Sequence, residues 1–200
     1  MEIAVFETIC RELAAFGFSG RLSLHLYNEP LLLKELESYV ATAARLVPSA
    51  FIALYTNGDL LTGRRYQSLL DAGVHRFVVT RHDGDSFPAR PFQQVQTPSD
   101  FEVSNRGGAV GRLRAPLFFP CFAPEEMLTV TVTGDVILCH EDASRRHVFG
   151  NLTRQSLSEI WHHSDLEAVR SHLAEGRRSR ASSICAVCDC RINIRRGESI

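Results

Sequence analysis

Lysine is nearly absent from this chain: Lys34 is the only one among 22 basic residues in 200. Arginine therefore carries almost all the positive charge, and 23 acidic residues bring the formal net charge to −1. A near-neutral chain makes no electrostatic case for nucleic acid or for a membrane surface as partner. The arginine bias reads as the mark of a GC-rich genome. No apolar run approaches the roughly 20 residues needed to span a bilayer. The first residues, with Glu2, Glu7 and Glu12, lack the basic start and apolar middle of a secretory signal. Internal repeats, low-complexity tracts, a P-loop, a G-x-G-x-x-G and a Ser/His/Asp set are also missing. These absences point to a cytoplasmic chain. Its 44% hydrophobic content suffices for one packed domain, or one domain with a small satellite.

Cysteine is present where it is informative. Cys121 and Cys139 lie at opposite ends of a stretch that reads as a β-hairpin, Cys185 and Cys188 form a C-x-x-C, and Cys190 follows at once. In a reducing compartment, clustered thiols bind metal more often than they pair. Four thiolates from two places in the chain suit an iron–sulfur cube or a structural zinc ion. On residue chemistry alone the two metals are equally served, and unligated core cysteines are the plain alternative. Cys10 stands alone on a helix.

Periodicity gives the organisation. Residues 2–17 place Ile3, Phe6, Cys10, Leu13 and Phe16 near helical spacing. Residues 21–27 alternate as a strand, Pro30 opens a helix to about Val47, and 51–55 form a second strand followed by the Asn57-Gly58 turn. Thr62 caps a helix that Gly73 stops, and 75–80 form a third strand. Strands separated by helices indicate βαβ units and a parallel sheet, whose functional loops gather at the C-terminal ends of its strands. The stretch 81–120 holds five of the eight prolines and two candidate short strands, 92–96 and 101–104. Strands at 127–133 and 135–140 meet at Gly134-Asp135, a hairpin signature. A helix over 156–173 and an arginine- and serine-rich loop lead to the C-x-x-C.

Quoted in order, Cys121, LTVTVTGDVILCH with Cys139, FGNL, SLSEIWHHSDLEAVR and Cys185-Ala-Val-Cys188 resemble the C-terminal SPASM or twitch module of radical S-adenosylmethionine (SAM) enzymes. The resemblance implies an auxiliary [4Fe–4S] cluster on Cys121, Cys139, Cys185 and Cys188, in the single-cluster twitch form, with Cys190 a bystander or a thiol near the cluster. The N-terminal half agrees. HLYNEPLL resembles the family's GEP motif, which casts Glu29, beside Asn28, as the holder of the methionine ammonium. LYTNGDLLT, with Asn57, and AGVHRFVVT resemble the segments at the third and fourth strands. SNRGG resembles the stretch whose arginine, here Arg106, faces the SAM carboxylate or the substrate. The implied fold is α/β: residues 1–108 as an incomplete parallel (β/α) barrel, then 109–200 as a small hairpin-plus-helix iron–sulfur module.

The family's C-x-x-x-C-x-x-C, which holds the SAM-cleaving cluster, does not occur in these 200 residues. The chain opens on what reads as the family's first helix, so an intact member is expected to carry roughly fifty further residues, about one βα unit with its loop. By resemblance, the full-length form cleaves SAM to a 5′-deoxyadenosyl radical and oxidises or modifies a small molecule or peptide. An electron-donor protein is then an implied partner. The competing reading is a non-catalytic iron–sulfur remnant or partner protein. Plainer roles stand beside each motif. Glu29 suits the first turn of a helix, with Pro30 at its first position. Asn57-Gly58 makes an ordinary turn, and Arg106 reads equally as a loop arginine. His162, His163, Arg145-Arg146 and Arg177-Arg178 read as solvent-facing.

Overall fold

The computed structural model describes residues 1–82, 87–100, 103–111 and 117–191. The chain divides into two compact units, Glu2–Glu102 and Val103–Ile200. Among the described residues no helix is long and apolar enough to cross a membrane.

The first unit opens with α1 (Ile3–Ala15), which buries Phe6, Ile9, Cys10 and Leu13 on one stripe, the spacing of a core-facing helix. It continues through β1 (Arg21–Ser23), α2 (Leu36–Leu46), β2 (Phe51–Thr56), α3 (Gly63–Ala72), β3 (Arg76–Thr80) and β4 (Gln93–Gln96). The four strands form one sheet in the order β1-β2-β3-β4, and every neighbouring pair is parallel. Sequential order without reversal is how a (β/α) barrel wall grows; a doubly wound sheet reverses direction. Ile52, Ala53, Leu54, Phe77 and Val79 of β2 and β3 are all at most 1% exposed. Such continuous apolar runs suit strands covered on both faces. Each large side chain buried here contributes roughly 1.5–3 kcal/mol.

Two boundaries depart from the periodicity. The expected helix from Pro30 to Val47 is a 3-10 turn, Pro30–Leu32, followed by α2. Glu29 is drawn sideways onto β2, and Leu33 is extended, so the turn does not run on into the helix. The strand expected over 21–27 is regular only at Arg21–Ser23. By contrast, α3 keeps its expected limits, because Thr62 Oγ1 accepts from Arg65 N and Gly73 closes the other end. The candidate strand at 92–96 is β4. Of 101–104, residues 101–102 lie outside the described residues, and 103–104 are not strand.

In the second unit, α4 (Ala123–Glu126) precedes an antiparallel sheet of β5 (Thr129–Val130), β6 (Asp135–Ile137) and β7 (Val148–Asn151). The hairpin is as expected. The FGNL stretch adds a third strand, since its phenylalanine Phe149 is buried. The helix expected over 156–173 is broken into α5 (Leu157–Trp161) and α6 (Ser164–Ala174). His163 is extended, and its ring nitrogen accepts from Asp165 N to start the second helix. Arg170 Nη1 reaches back to the Trp161 carbonyl at 2.6 Å, satisfying the end of the first. Two short helices, α7 (Arg178–Ala181) and α8 (Ser183–Val187), carry the chain to the C-x-x-C.

Candidate functional site

Two groups of residues, one in each unit, bear chemistry. In the first unit, the loops after β1, β2 and β3 lie at the C-terminal rim of the sheet. The Glu29 carboxylate ties two of them together. Its Oε1 accepts from Thr56 Oγ1 at 2.7 Å and from Leu31 N at 3.0 Å, and its Oε2 accepts from Asn57 N at 2.8 Å. The third loop is fastened by Arg81, whose Nη1 donates to the Asn57 carbonyl at 2.9 Å and to Asp59 Oδ1 at 2.8 Å. Glu29 is thus both the cap of its turn and a bridge between strands. A carboxylate offers about four acceptor positions, so these bonds leave one direction for a further donor. The side chains of Asn28 and Asn57 close their own turns, each oxygen accepting a nearby backbone N–H, from Leu26 and Asp59 respectively. Arg106 belongs to the second unit, where its charge acts on Glu141.

The second group is the cysteine set. Cys139 follows β6 in a loop locked by Asp142, which is 1% exposed and accepts from the backbone N–H groups of Arg146 and His147, each at 2.9 Å. Cys121 N donates to the Leu173 carbonyl, Cys185 lies in α8 and Cys188 caps its end. Together with Cys190 these cysteines line one cavity. All are free thiols, although they crowd together. Burial pushes Cys139 well above its ordinary range, and the neighbouring Cys185, Cys121 and Cys188 push it further. Cys185 is raised to about 12, by burial first and then by Cys121 and Cys188. Cys188 is raised to about 11, again chiefly by burial. Three buried thiols, Cys139, Cys185 and Cys188, whose ionisation burial and neighbouring cysteines oppose, with the half-buried Cys121 beside them, become thiolates together only around a cationic core. The Cys190 N–H already points at Cys188 Sγ, 3.4 Å away, as outer-shell donors to ligating sulfur do. An iron–sulfur cube fits this donor set.

Several neighbours had no signature in the sequence. Asn105, 4% exposed, clamps the C-terminal loop. Its N–H donates to Asp189 Oδ1 at 2.6 Å, its Nδ2 to the Val187 carbonyl at 2.7 Å, and its Oδ1 accepts from Asp189 N. The SNRGG stretch therefore fastens the C-x-x-C to the rest of its unit. Glu141, 3% exposed, accepts from Ser104 Oγ at 2.7 Å and lies 3.3 Å from His140 Nε2. Burial works against its charge, but hydrogen bonds from His140 and Ser104 and the charges of His140 and Arg106 hold it below the usual carboxylate range. His140, Glu141 and Cys190 present ligand atoms within 4.8 Å of one another at the edge of the same cavity. Of the two arginine pairs expected in solvent, Arg145, Arg146 and Arg177 are exposed, but Arg178 is 3% exposed and lines the cavity. The signal for it lies in contacts far along the chain.

A parallel, sequentially ordered sheet with a carboxylate at its rim, followed by a hairpin module gathering buried thiols, defines a class. The chain belongs to the radical SAM family, among the members that carry a C-terminal SPASM/twitch domain. Residues 121–190 match SPASM, an iron–sulfur cluster-binding domain. Among its relatives, the chain is similar to an S-adenosyl-L-methionine-dependent 2-deoxy-scyllo-inosamine dehydrogenase from Niallia circulans. The two are 35% identical over 94% of this chain and 80% of that one. A GTP 3′,8-cyclase from Acidothermus cellulolyticus is 33% identical over 60% of this chain and 32% of its own length. Among solved structures, BtrN in complex with AdoMet and 2-DOIA superposes with a TM-score of 0.87 at 34% identity, covering 95% of this chain and 80% of that one. BtrN in an open conformation gives a TM-score of 0.79 at 32% identity, over 96% and 80% of the two chains.

Proposed function

We propose that Cys121, Cys139, Cys185 and Cys188 hold one auxiliary [4Fe–4S] cluster in a SAM-dependent radical dehydrogenase whose substrate is a small polyhydroxylated amine, an aminocyclitol or amino sugar. The observation that carries this reading is the convergence of four reduced thiols, three of them buried and Cys121 half-buried, on one cavity. It occurs in a chain similar over nearly its whole length to a dehydrogenase of such a substrate. When bound, the cluster supplies a one-electron acceptor or donor. The protein's part is to bury it, to orient its thiolates through Asn105 and Asp142, and to keep water from the sulfur atoms. At the rim of the first unit, Glu29 keeps one direction open for an ammonium; in the second unit, Arg106 carries a fork that suits a carboxylate. A small-molecule substrate and an electron-donor protein are the partners of this reading.

The 200 residues hold no C-x-x-x-C-x-x-C, and SAM cleavage needs the cluster that this motif binds. The test is an oxygen-free assay with SAM, a strong reductant and 2-deoxy-scyllo-inosamine. It is run on this chain and on the same chain with a segment bearing the motif placed in front. The expected result is 5′-deoxyadenosine and a ketone product from the extended chain, and neither from the 200 residues alone. Extended protein that carries both clusters and converts no aminocyclitol or amino sugar would overturn the substrate assignment.

A further inference from the structure

Arg178 carries a buried charge that lies over the Phe119 ring, 5.7 Å from its centroid, and has no carboxylate partner among the described residues. It begins α7 at 3% exposure and donates only to main-chain carbonyls. Its Nε reaches Phe119 O at 3.2 Å, its Nη1 reaches Cys188 O and its Nη2 reaches Cys190 O, both at 3.4 Å. Among the described residues no carboxylate lies within 4.0 Å of its guanidinium; the ion pairs involve other cations. An uncompensated buried cation is strongly unfavourable, and carbonyl dipoles offset it only in part. The missing anion has an evident source, because Arg178 forms part of the wall of the cavity that the cysteines line. Four thiolates around a [4Fe–4S] core leave that assembly negatively charged, and reduction adds one more electron.

We propose that Arg178 is the counter-ion of the auxiliary cluster and the residue that raises its reduction potential. The inference rests on the ligand set proposed above. A fixed cation in a poorly solvated wall favours the more negative, reduced cluster over the oxidised one. The cluster is thereby a better acceptor for an electron leaving the substrate, as a dehydrogenase requires. The same guanidinium grips the carbonyls of Cys188 and Cys190, so it also positions the loop that delivers one ligand. Its charge opposes the effect of burial on both Cys185 and Cys188.

The experiment is a redox titration followed by electron paramagnetic resonance, on wild type, Arg178→Gln and Arg178→Lys, each first analysed for iron and sulfide. Arg178→Gln is expected to lower the equilibrium constant for cluster reduction about tenfold or more, where tenfold is about 59 mV for a one-electron couple. Arg178→Lys, which keeps the charge and loses the fork, is expected to stay within about threefold of wild type, the scatter allowed for context. Loaded Arg178→Gln with the wild-type potential would overturn the inference. So would an Arg178→Lys potential displaced as far as that of the glutamine variant. Should Arg178→Gln fail to load, Arg178→Lys decides alone: retention of the potential supports a role of charge, and a tenfold fall refutes it. Wild type that binds zinc without sulfide would sink the ligand set itself, an outcome distinguishable from either result.

Discussion

Replacing Cys139 with alanine is expected to remove the cluster, taking iron from about four atoms per chain to below one. Cys139 is the thiol whose ionisation the other three, Cys185, Cys121 and Cys188, all oppose, which puts it within electrostatic reach of each of them. It sits in a loop whose backbone Asp142 already fixes, so no neighbouring cysteine replaces it without unmaking those bonds. The loss should be specific. Cys10 is fully buried in α1 and raised to about 11 by burial, in the other unit from the cavity. Cys10→Ala should keep its iron. Cys190→Ala should keep it too, because four thiols remain around the cavity. Iron and sulfide analysis of the three variants checks this. Full iron in Cys139→Ala, or its loss in Cys10→Ala, would contradict the assignment.

The second large effect is on stability. Gly107 has φ +58, and a Cβ there would lie 2.6 Å from Ile184 Cγ2 and 2.7 Å from the Glu141 carbonyl oxygen. Gly107→Ala therefore incurs two costs: roughly 1–2 kcal/mol for a left-handed backbone and roughly 1–3 kcal/mol for overpacking. The residues it would push apart carry the cluster, since Ile184 adjoins Cys185 and Glu141 follows Cys139 closely. Gly17→Ala is the control. Gly17 has φ +73 and nothing within 4 Å of a new Cβ, so only the backbone cost applies, about 1 kcal/mol. Urea unfolding of the loaded protein, followed by the visible absorbance of the cluster, should show a clearly lower midpoint for Gly107→Ala. For Gly17→Ala the cluster transition should barely move. Equal transitions for the two variants would mean that SNRGG does not brace the thiol site.

How much of this was legible in the sequence depends on how local the determining chemistry is. The limits of α3 were readable because Thr62 and Gly73 act on their own helix. The β5–β6 turn was readable for the same reason. The cysteines that line the cavity were readable because thiols in this order have few other uses. The break between α5 and α6 was not, since it depends on Arg170 reaching back to Trp161 from the next helix. Arg178 looked like a solvent residue because its acceptors, Phe119, Cys188 and Cys190, are brought to it only by the fold. Asn105 finds its partners more than eighty positions away. Glu29 was singled out, but its bonds to Thr56 and Asn57 became visible only once β1 and β2 were paired.

The most direct measurement is metal and sulfide analysis of the 200-residue chain purified without oxygen. The account predicts about four iron and about four acid-labile sulfide per chain, with negligible zinc, as one [4Fe–4S] cluster requires. One equivalent of zinc with no labile sulfide would contradict it.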